Sequence, residues 1–152
     1  MDQSLLFSFF LFITFFGNFA VIPIIATLLL FFHKLRFRII IPLWIALLSS
    51  GLFVLIVKYL VARQRPPFPL ITETGYSFPS GHAAAVFTVY PFIHYAYPKY
   101  HYLWLTFAIL VAFSRVYLQV HYISDILAGA FFGYTIGALF FYYWKKNYLK
   151  RN

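Results

Sequence analysis

The chain has 152 residues, of which 63% are hydrophobic, 24% aromatic and only 10% charged. This balance excludes an ordinary water-soluble domain and predicts a single integral membrane domain over residues 1–152. The net charge of +9 favours anionic membrane lipid over nucleic acid as a partner, because no basic run alternates with exposed polar residues. The sequence indicates no obligatory protein partner.

The residue counts exclude several kinds of site. Cysteine is absent, which removes disulfides, thiolate nucleophiles and cysteine-based metal or redox sites. The acidic residues are Asp2, Glu73 and Asp125, too few for a paired-carboxylate glycosidase or an oxygen-rich Mg²⁺ or Ca²⁺ site. Any chemistry must therefore rest on histidine and on cationic side chains.

Five apolar segments have about the length of a transmembrane helix, at residues 5–32, 39–62, 83–97, 102–118 and 122–144. They predict an all-α fold, a polytopic membrane bundle of about five transmembrane helices. We expect the first segment to be one long helix, tilted or kinked near Gly17 and Pro23, because its two halves would be too short to span. The one substantial loop, residues 66–78, follows the second helix.

The basic residues predict the orientation of this bundle, since short cytoplasmic loops collect Lys and Arg. Eight of them fall at one end of a five-helix arrangement: Lys34, Arg36, Arg38, Lys99, Lys145, Lys146, Lys150 and Arg151. That end and the C-terminus should be cytoplasmic in a plasma (inner) membrane. Lys58, Arg63, Arg65 and Arg115 fall at the other end, which should face the periplasm or exterior.

Lys58 and Arg65 form a first polar motif at the expected end of the second helix. Their spacing is about two helical turns, so both side chains should project from one face before Pro66 ends the helix. Such cations either snorkel to lipid headgroups or bind an anion. Arg63 should point elsewhere, toward a second phosphate or lipid headgroups. Glu73, in the following loop, is expected to be a solvated acid, with contact to a substrate amine or hydroxyl as the alternative.

Ser80, Gly81 and His82 form a second motif, where Pro79 ends the loop and the third apolar run begins. This is the pattern of a helix N-terminus, whose outward N–H groups and dipole favour an anion, and Gly81 allows close approach. Ser80 alone could be an ordinary helix cap. The adjacent His82 favours an anion site.

His121 and Asp125 form a third motif, four residues apart and therefore neighbours on a helix. A carboxylate bonded to one imidazole nitrogen leaves the other nitrogen free and basic. Such a pair can be purely structural, but Ser114 and Arg115 precede it in the same segment. With no second carboxylate near the histidines a metal site is disfavoured, so the pattern indicates phosphoryl transfer in which cations neutralise the phosphate oxygens.

In chain order the motifs read Lys58-x6-Arg65-Pro66, Pro79-Ser80-Gly81-His82 and Ser114-Arg115-x5-His121-x3-Asp125. They resemble the three-part signature of the type 2 phosphatidic acid phosphatase family, and the resemblance covers residues 58–125. It implies a helical membrane lipid phosphatase that is metal-independent, needs no cofactor, is sensitive to vanadate and forms a phosphohistidine. Family members commonly have six membrane helices, so five here would place the N-terminus outside.

The resemblance also implies a role for each motif residue. His121 would be the nucleophile, oriented by Asp125. His82 would be the general acid for the leaving group and later the base that activates water. The phosphate oxygens would be held by Lys58, Arg65, Arg115, Ser80 and the Gly81 amide. The residues alone agree with this site but leave open which histidine attacks.

The expected reaction removes a phosphate from an amphiphilic phosphomonoester or diphosphate at the exterior leaflet, in a site left open by the short loop. Lipid A 1-phosphate and undecaprenyl diphosphate are the favoured substrates; phosphatidylglycerol phosphate and phosphatidic acid are alternatives. A non-enzymatic lipid-phosphate binder or transporter would use the same cations. A haloperoxidase, whose motifs are similar, is disfavoured by the hydropathy of the chain.

Overall fold

The computed structural model describes residues 3–33 and 36–149, and every regular element in those ranges is a helix. In chain order they are α1 (Gln3–Phe16), α2 (Ile22–Phe31), α3 (Arg36–Val61), α4 (Gly81–Ala96), α5 (His101–Tyr117) and α6 (Ile123–Leu149). The last four lie where the apolar segments predicted them. The all-α fold class is confirmed.

The first apolar segment departs from the prediction of one helix over residues 5–32. A turn at residues 17–21 divides it into α1 and α2. The side chain of Asn18 accepts a hydrogen bond from the Ala20 N–H at 2.8 Å, an alternative to helical bonding, and Pro23 stands in the first turn of α2, where proline is favoured. The prediction of a continuous helix is therefore wrong.

Helix α4 is the centre of the bundle. Its buried residues are Ala83, Ala84, Ala85, Val86, Thr88, Val89, Phe92, Ile93 and Ala96. A helix that is apolar on nearly every side and buried on nearly every side must be surrounded by other helices, and α3, α5 and α6 all pack against it. The central helix therefore places its N-terminus in the middle of one end of the bundle.

The contact between α4 and α6 is unusually close because glycines line it. A Cβ added at Gly129, Gly133 or Gly137 would lie 2.4, 2.2 or 2.2 Å from a carbonyl oxygen of α4 or its N-cap. Small residues repeated every four positions let two membrane helices approach at backbone distance. This contact fixes the start of α4 relative to the start of α6.

The outside of the bundle is covered by large apolar side chains. On α3, Ile41, Leu48 and Leu52 are 64%, 64% and 60% exposed, a surface suited to lipid rather than water. Two helices are individually long and apolar enough to cross a bilayer, Arg38–Val61 and Ile123–Tyr148. Helices α1, α2 and α5 are apolar but shorter.

Cations and aromatic rings mark one end of the bundle, which we call the basic end. The Arg38 guanidinium lies 5.3 Å from the Tyr148 ring centroid, and the Lys145 ammonium lies 5.4 Å from that of Tyr95. These contacts put the start of α3 beside the ends of α4 and α6. Of the basic residues predicted here, Lys34, Lys150 and Arg151 lie outside the described residues.

The opposite end, which we call the site end, holds the end of α3, the start of α4, the end of α5 and the start of α6. All three polar motifs lie there.

Candidate active site

Helix α4 begins at Gly81, as the sequence predicts, with Ser80 as its N-cap. The Ser80 hydroxyl accepts a hydrogen bond from the Ala83 N–H at 3.5 Å, and the Ser80 N–H donates to the main-chain carbonyl of Asp125 at 3.0 Å. The second bond ties the start of α4 to the first turn of α6. A Cβ at Gly81 would meet only Val54, at 3.8 Å, so there is open space beside this helix N-terminus.

His121 and Asp125 are in contact, although they do not share a helix. His121 lies in the turn before α6, and Asp125 lies in the first turn of α6, so the expectation of a purely helical pair is wrong. The turn brings Nδ1 of His121 to 3.4 Å from Oδ2 of Asp125, and the Tyr122 N–H donates to the same oxygen at 2.9 Å. With Nδ1 facing the carboxylate, Nε2 is the ring nitrogen that does not face Asp125.

Burial lowers the pKa of His121 below its ordinary value of 6.5, because the imidazolium ion loses solvation. The hydrogen bond with Asp125 acts in the opposite direction, and the positive charges of Arg115, Lys58 and Arg65 lower the pKa further. The net direction is downward, so His121 is neutral at pH 7. Neutral imidazole is the form with a lone pair available for attack.

The end of α3 differs from the prediction. The helix ends at Val61, where Ala62 adopts a left-handed φ of 48° that stops it. Arg65 therefore lies in extended chain, and the prediction that Pro66 ends the helix with Lys58 and Arg65 on one face is wrong.

Lys58 and Arg65 nevertheless bind the same loop. The Lys58 ammonium donates to the carbonyl of Tyr76 at 2.5 Å. The Arg65 guanidinium donates to the carbonyls of Gly75 and Thr74 at 3.0 and 2.9 Å, and to that of Val120, beside His121, at 2.9 Å. Both cations are thus held beside the turn that carries His121.

Arg115 supplies a buried positive charge, since it is 1% exposed. Its Nη1 donates to the Thr14 hydroxyl at 2.6 Å, and its Nη2 is paired with the carboxylate of Glu73. Among the described residues, Nε of Arg115 is the buried side-chain polar atom that lacks a hydrogen-bond partner. A buried guanidinium N–H without an acceptor is costly, and the described residues leave this donor of Arg115 unsatisfied.

Glu73 belongs to the site, and its interpretation as a solvated loop acid is wrong. Besides its contact with Arg115, its Oε2 lies 3.9 Å from the Arg65 guanidinium. The sequence did contain a signal that Glu73 belongs to the site. Glu73 is one of three acids in a chain with 12 basic residues, and it lies in the loop that joins the first two motifs.

His82 is half-buried, and its ring makes no hydrogen bond to a described residue. His121, Arg115, Arg65 and Lys58 all lie close enough to interact with it electrostatically. The structure therefore gathers all the predicted motif residues at the site end: Lys58, Arg65, Ser80, Gly81, His82, Arg115, His121 and Asp125. In the described ranges, no group of three or more His, Cys, Asp or Glu side chains is arranged to hold a metal ion.

Arg63 does not join the other cations. Its Nη1 donates to Asp125 Oδ1 at 2.9 Å and to the Ser124 hydroxyl at 2.7 Å. Contact with a second phosphate or with lipid headgroups stays a prediction. The guanidinium is bonded to the protein itself, at the oxygen of Asp125 that does not face His121.

Two cavities bear on where a ligand could enter. One of 510 Å³ opens beside His121 and is lined also by Arg63, Gln119, Tyr122 and Ser124. A larger one of 670 Å³ lies among α1, α2, α4 and α5 and is lined by apolar and aromatic side chains. The larger cavity has no acid, histidine or cation in its wall, whereas the smaller one reaches His121.

Comparisons with known proteins identify the family of the chain. The sequence model of the PAP2 superfamily matches residues 39–149. Phosphatidylglycerophosphatase B of Bacillus subtilis is 38% identical over 100 residues, covering 57% of this chain and 47% of that protein. Undecaprenyl-diphosphatase of Sulfolobus acidocaldarius is 35% identical over 128 residues, covering 78% and 60%. Lipid A 1-phosphatase of Rhizobium johnstonii is 30% identical over 102 residues, covering 60% and 42%.

A solved structure shows the same fold. The transmembrane PAP2-type phosphatidylglycerolphosphate phosphatase of Bacillus subtilis superposes with a TM-score of 0.71 at 25% identity, covering 100% of this chain and 81% of that one. The chain spans 42–60% of the length of the three curated relatives named above. A bundle of this fold with a lipid-suited surface is an integral membrane protein. Since the superfamily match takes in most of the chain, including all three motifs, the chain belongs to the PAP2 superfamily.

Proposed function

We propose that the chain is a lipid phosphatase, with one catalytic domain over residues 1–152, that acts through a phosphohistidine on His121. The observation that carries the proposal is the contact of 3.4 Å between His121 Nδ1 and Asp125 Oδ2. It leaves Nε2 of a neutral imidazole free beside a second histidine and three cations. No residue type needed for phosphoryl transfer by histidine is missing from this cluster.

In the first half of the reaction, Nε2 of His121 attacks phosphorus. The new N–P bond forms as the P–O bond to the leaving group breaks, and the electron pair of that bond passes to the leaving oxygen. His82 donates the proton that this oxygen takes up. The products are phosphohistidine and an alcohol, or a monophosphate when the substrate is a diphosphate.

In the second half, water attacks the phosphohistidine. His82, now neutral, accepts a proton from the water as the new O–P bond forms, and the electrons of the N–P bond return to Nε2. Inorganic phosphate leaves and both histidines regain their starting states. Asp125 stabilises the positive charge on the His121 ring while that ring is phosphorylated.

The phosphate oxygens need positive partners throughout. Lys58, Arg65 and Arg115 would neutralise them, as Mg²⁺ does in many other phosphoryl transferases. The unpaired Nε of Arg115 supports this because its N–H has no acceptor in the protein. The open space beside Gly81 supports it because an oxygen atom could approach the main chain there. The Ser80 hydroxyl and the Gly81 amide would complete the set.

For the substrate we favour lipid A 1-phosphate or undecaprenyl diphosphate, with phosphatidylglycerol phosphate and phosphatidic acid as alternatives. The names of the relatives support the class, since each denotes hydrolysis of a phosphate carried by a lipid. The position of the site supports it too. The motifs lie at one end of membrane-length helices, where phosphate headgroups are found.

We further propose that the site faces the periplasm or exterior and that the C-terminus is cytoplasmic in the plasma (inner) membrane. The argument is the concentration of Lys and Arg at the basic end, including Arg38, Lys99, Lys145 and Lys146, which favours a cytoplasmic location.

The test is phosphate release by purified protein in detergent and EDTA from each of the four candidate lipids. Wild type should release phosphate from at least one lipid, and His121→Ala should release none. His82→Ala should lose about 10²- to 10⁴-fold in rate. His94→Ala, a histidine at the basic end, is the matched control and should equal wild type. Near-normal release by His121→Ala would refute the nucleophile assignment, and lipid binding without release by wild type would indicate a binder or transporter.

A further inference from the structure

Each oxygen of the Asp125 carboxylate has a different set of partners. Oδ2 faces His121 Nδ1 at 3.4 Å and accepts from the Tyr122 N–H at 2.9 Å. Oδ1 accepts from the Arg63 guanidinium at 2.9 Å. The carboxylate is fully buried, whereas the Arg63 side chain is 37% exposed. The partly exposed Arg63 thus holds the carboxylate oxygen of Asp125 that does not face His121.

Arg63 is itself held from several sides. Its guanidinium lies 4.2 Å from the ring centroid of Tyr122, a favourable cation–π contact, and donates to the Ser124 hydroxyl at 2.7 Å. Its main-chain carbonyl accepts from the Ser77 N–H at 2.9 Å and from the Ser77 hydroxyl at 3.3 Å. Both the backbone and the side chain of Arg63 are therefore fixed.

Arg63 differs from the cations assigned to phosphate. Lys58, Arg65 and Arg115 act on the charge of His121, whereas the contact that Arg63 makes is with Asp125, the partner of His121. Its Nη1 is already used by two protein acceptors. These contacts fit an orienting role better than a role in holding substrate.

We propose that Arg63 is a positioning residue that fixes the Asp125 carboxylate, with Oδ1 held by the guanidinium, so that Oδ2 is presented to Nδ1 of His121. The inference rests on the proposed role of His121 as nucleophile. Carboxylates that orient a reacting or ligating histidine are themselves commonly held by further hydrogen bonds.

Loss of the guanidinium has two physical consequences. The carboxylate becomes free to rotate, so His121 is presented in the attacking orientation for a smaller fraction of the time. The Tyr122 N–H still keeps the carboxylate beside the imidazole, and its negative charge is no longer shared with Arg63, so it favours protonation of His121. The acid limb of the rate profile then moves to higher pH.

The experiment compares wild type with Arg63→Gln, Arg63→Lys and Lys99→Gln. Lys99 is the matched control, since its ammonium also lies near a tyrosine ring, 5.6 Å from the centroid of Tyr100, at the basic end. kcat and KM are measured against pH on a lipid that wild type hydrolyses. The titration of His121 is followed by NMR of ¹⁵N-histidine-labelled protein without substrate, assigned with His121→Ala.

Arg63→Gln should lower kcat about 10- to 100-fold, as removal of such orienting partners does, with little change in KM. The His121 titration should move upward by about half a pH unit or more. Arg63→Lys should recover part of the kcat and part of the wild-type His121 titration, and Lys99→Gln should match wild type in both measurements. A rise in KM at unchanged kcat would overturn the inference, because it would show that Arg63 holds substrate.

The NMR titration separates this inference from the proposed function. If wild type hydrolyses no lipid phosphate but Arg63→Gln still shifts the His121 titration, the proposed function fails and the positioning role stands. If Arg63→Gln does not fold, Tyr122→Leu, which removes the ring beneath the guanidinium, should shift the titration in the same direction by a smaller amount. An unmoved titration in that variant would overturn the inference.

Discussion

At the scale of single residues, the contact between Glu73 and Arg115 bears on the proposed binding of phosphate. Arg115 is almost completely buried, and a buried guanidinium needs a negative partner. Glu73 supplies it from the loop before α4. A phosphate ion entering the site would compete with this carboxylate for the same donors.

The prediction is that Glu73→Gln strengthens inhibition by vanadate, a phosphate analogue. Without the competing charge, the inhibition constant should fall about tenfold, which corresponds to about 1.4 kcal/mol. The measurement is phosphate release at increasing vanadate, with Thr72→Val in the same loop as the control. Weaker inhibition in Glu73→Gln would contradict the competition.

The second prediction at this scale concerns pH. Because burial lowers the pKa of His121 below 6.5, the form able to attack is fully present above that pKa and is lost as pH falls through it. The acid limb of kcat/KM should therefore lie below pH 6.5. Burial and the charge of Arg115 also lower the pKa of His82 well below 6.5, so the alkaline limb, which follows loss of the His82 proton, should lie on the acid side of neutrality too and the bell should be narrow.

The pH profile is measured on a phosphomonoester and on a diphosphate, because the ester has its own ionisation near pH 6. A limb of the pH profile that lies at the same pH with both substrates reports the ionisation of a group on the enzyme. A flat profile, or an acid limb above pH 6.5 with both substrates, would show that His121 is not the group that must be neutral.

Residue spacing predicted some of these contacts and not others. The His121 and Asp125 contact was predictable because a separation of four residues brings two side chains together on a helix and, here, also across a turn. The bond between Arg63 and Asp125 joins residues 62 positions apart. Nothing local specifies it, so it depends on how α3 and α6 pack.

At the scale of elements, the glycines of α6 determine where the proposed catalytic residues of α4 and α6 lie relative to each other. Gly133 lies against the Ala84 carbonyl, within one turn of Gly81 and His82 on α4 and about two turns from Asp125 on α6. Any added side chain must push α4 and α6 apart. The Gly-x3-Gly-x3-Gly spacing is present in the sequence and is the signal by which this contact could have been predicted.

Gly133→Ala should therefore lower both stability and activity. An overpacked contact commonly costs about 1–3 kcal/mol, and separation of α4 from α6 also moves His82 away from His121. Thermal unfolding in detergent and phosphate release measure the two effects. Leu139→Ala, at an exposed position of the same helix, should change neither; equal behaviour of the two variants would contradict the role of the close contact.

Hydropathy predicted most helices but not their interruptions. The apolar runs predict α3 to α6 because a single segment inside the hydrocarbon of a membrane can satisfy its backbone hydrogen bonds only as a helix. The break at residues 17–21 depends on a local Asn18 bond and on Val111 of α5, whose side chain would lie 2.2 Å from a Cβ at Gly17. The end of α3 is set by Ala62 at positive φ, a conformation that alanine does not signal.

At the scale of the whole molecule, the two ends of the bundle hold different side chains. The basic end carries the Lys and Arg residues that the proposed orientation places beside cytoplasmic headgroups, and the site end carries the three polar motifs. The proposed orientation of the ends rests on charge, since the Lys and Arg residues of the basic end all lie outside the three motifs.

Single-cysteine labelling tests this orientation without background, because the chain contains no cysteine. A membrane-impermeant maleimide applied to intact cells should label Thr72→Cys, in the loop of the site end, and should not label Asn147→Cys near the end of α6. Permeabilised cells, in which both should be labelled, serve as the control. The reverse pattern in intact cells would place the site in the cytoplasm.

The central claim is that His121 carries the phosphoryl group. Protein mixed with ³²P-labelled lipid substrate in EDTA, quenched in alkaline detergent and digested, should yield a labelled peptide with phosphohistidine at position 121. His121→Ala should yield none. Label at His82, or label retained in His121→Ala, would contradict the account.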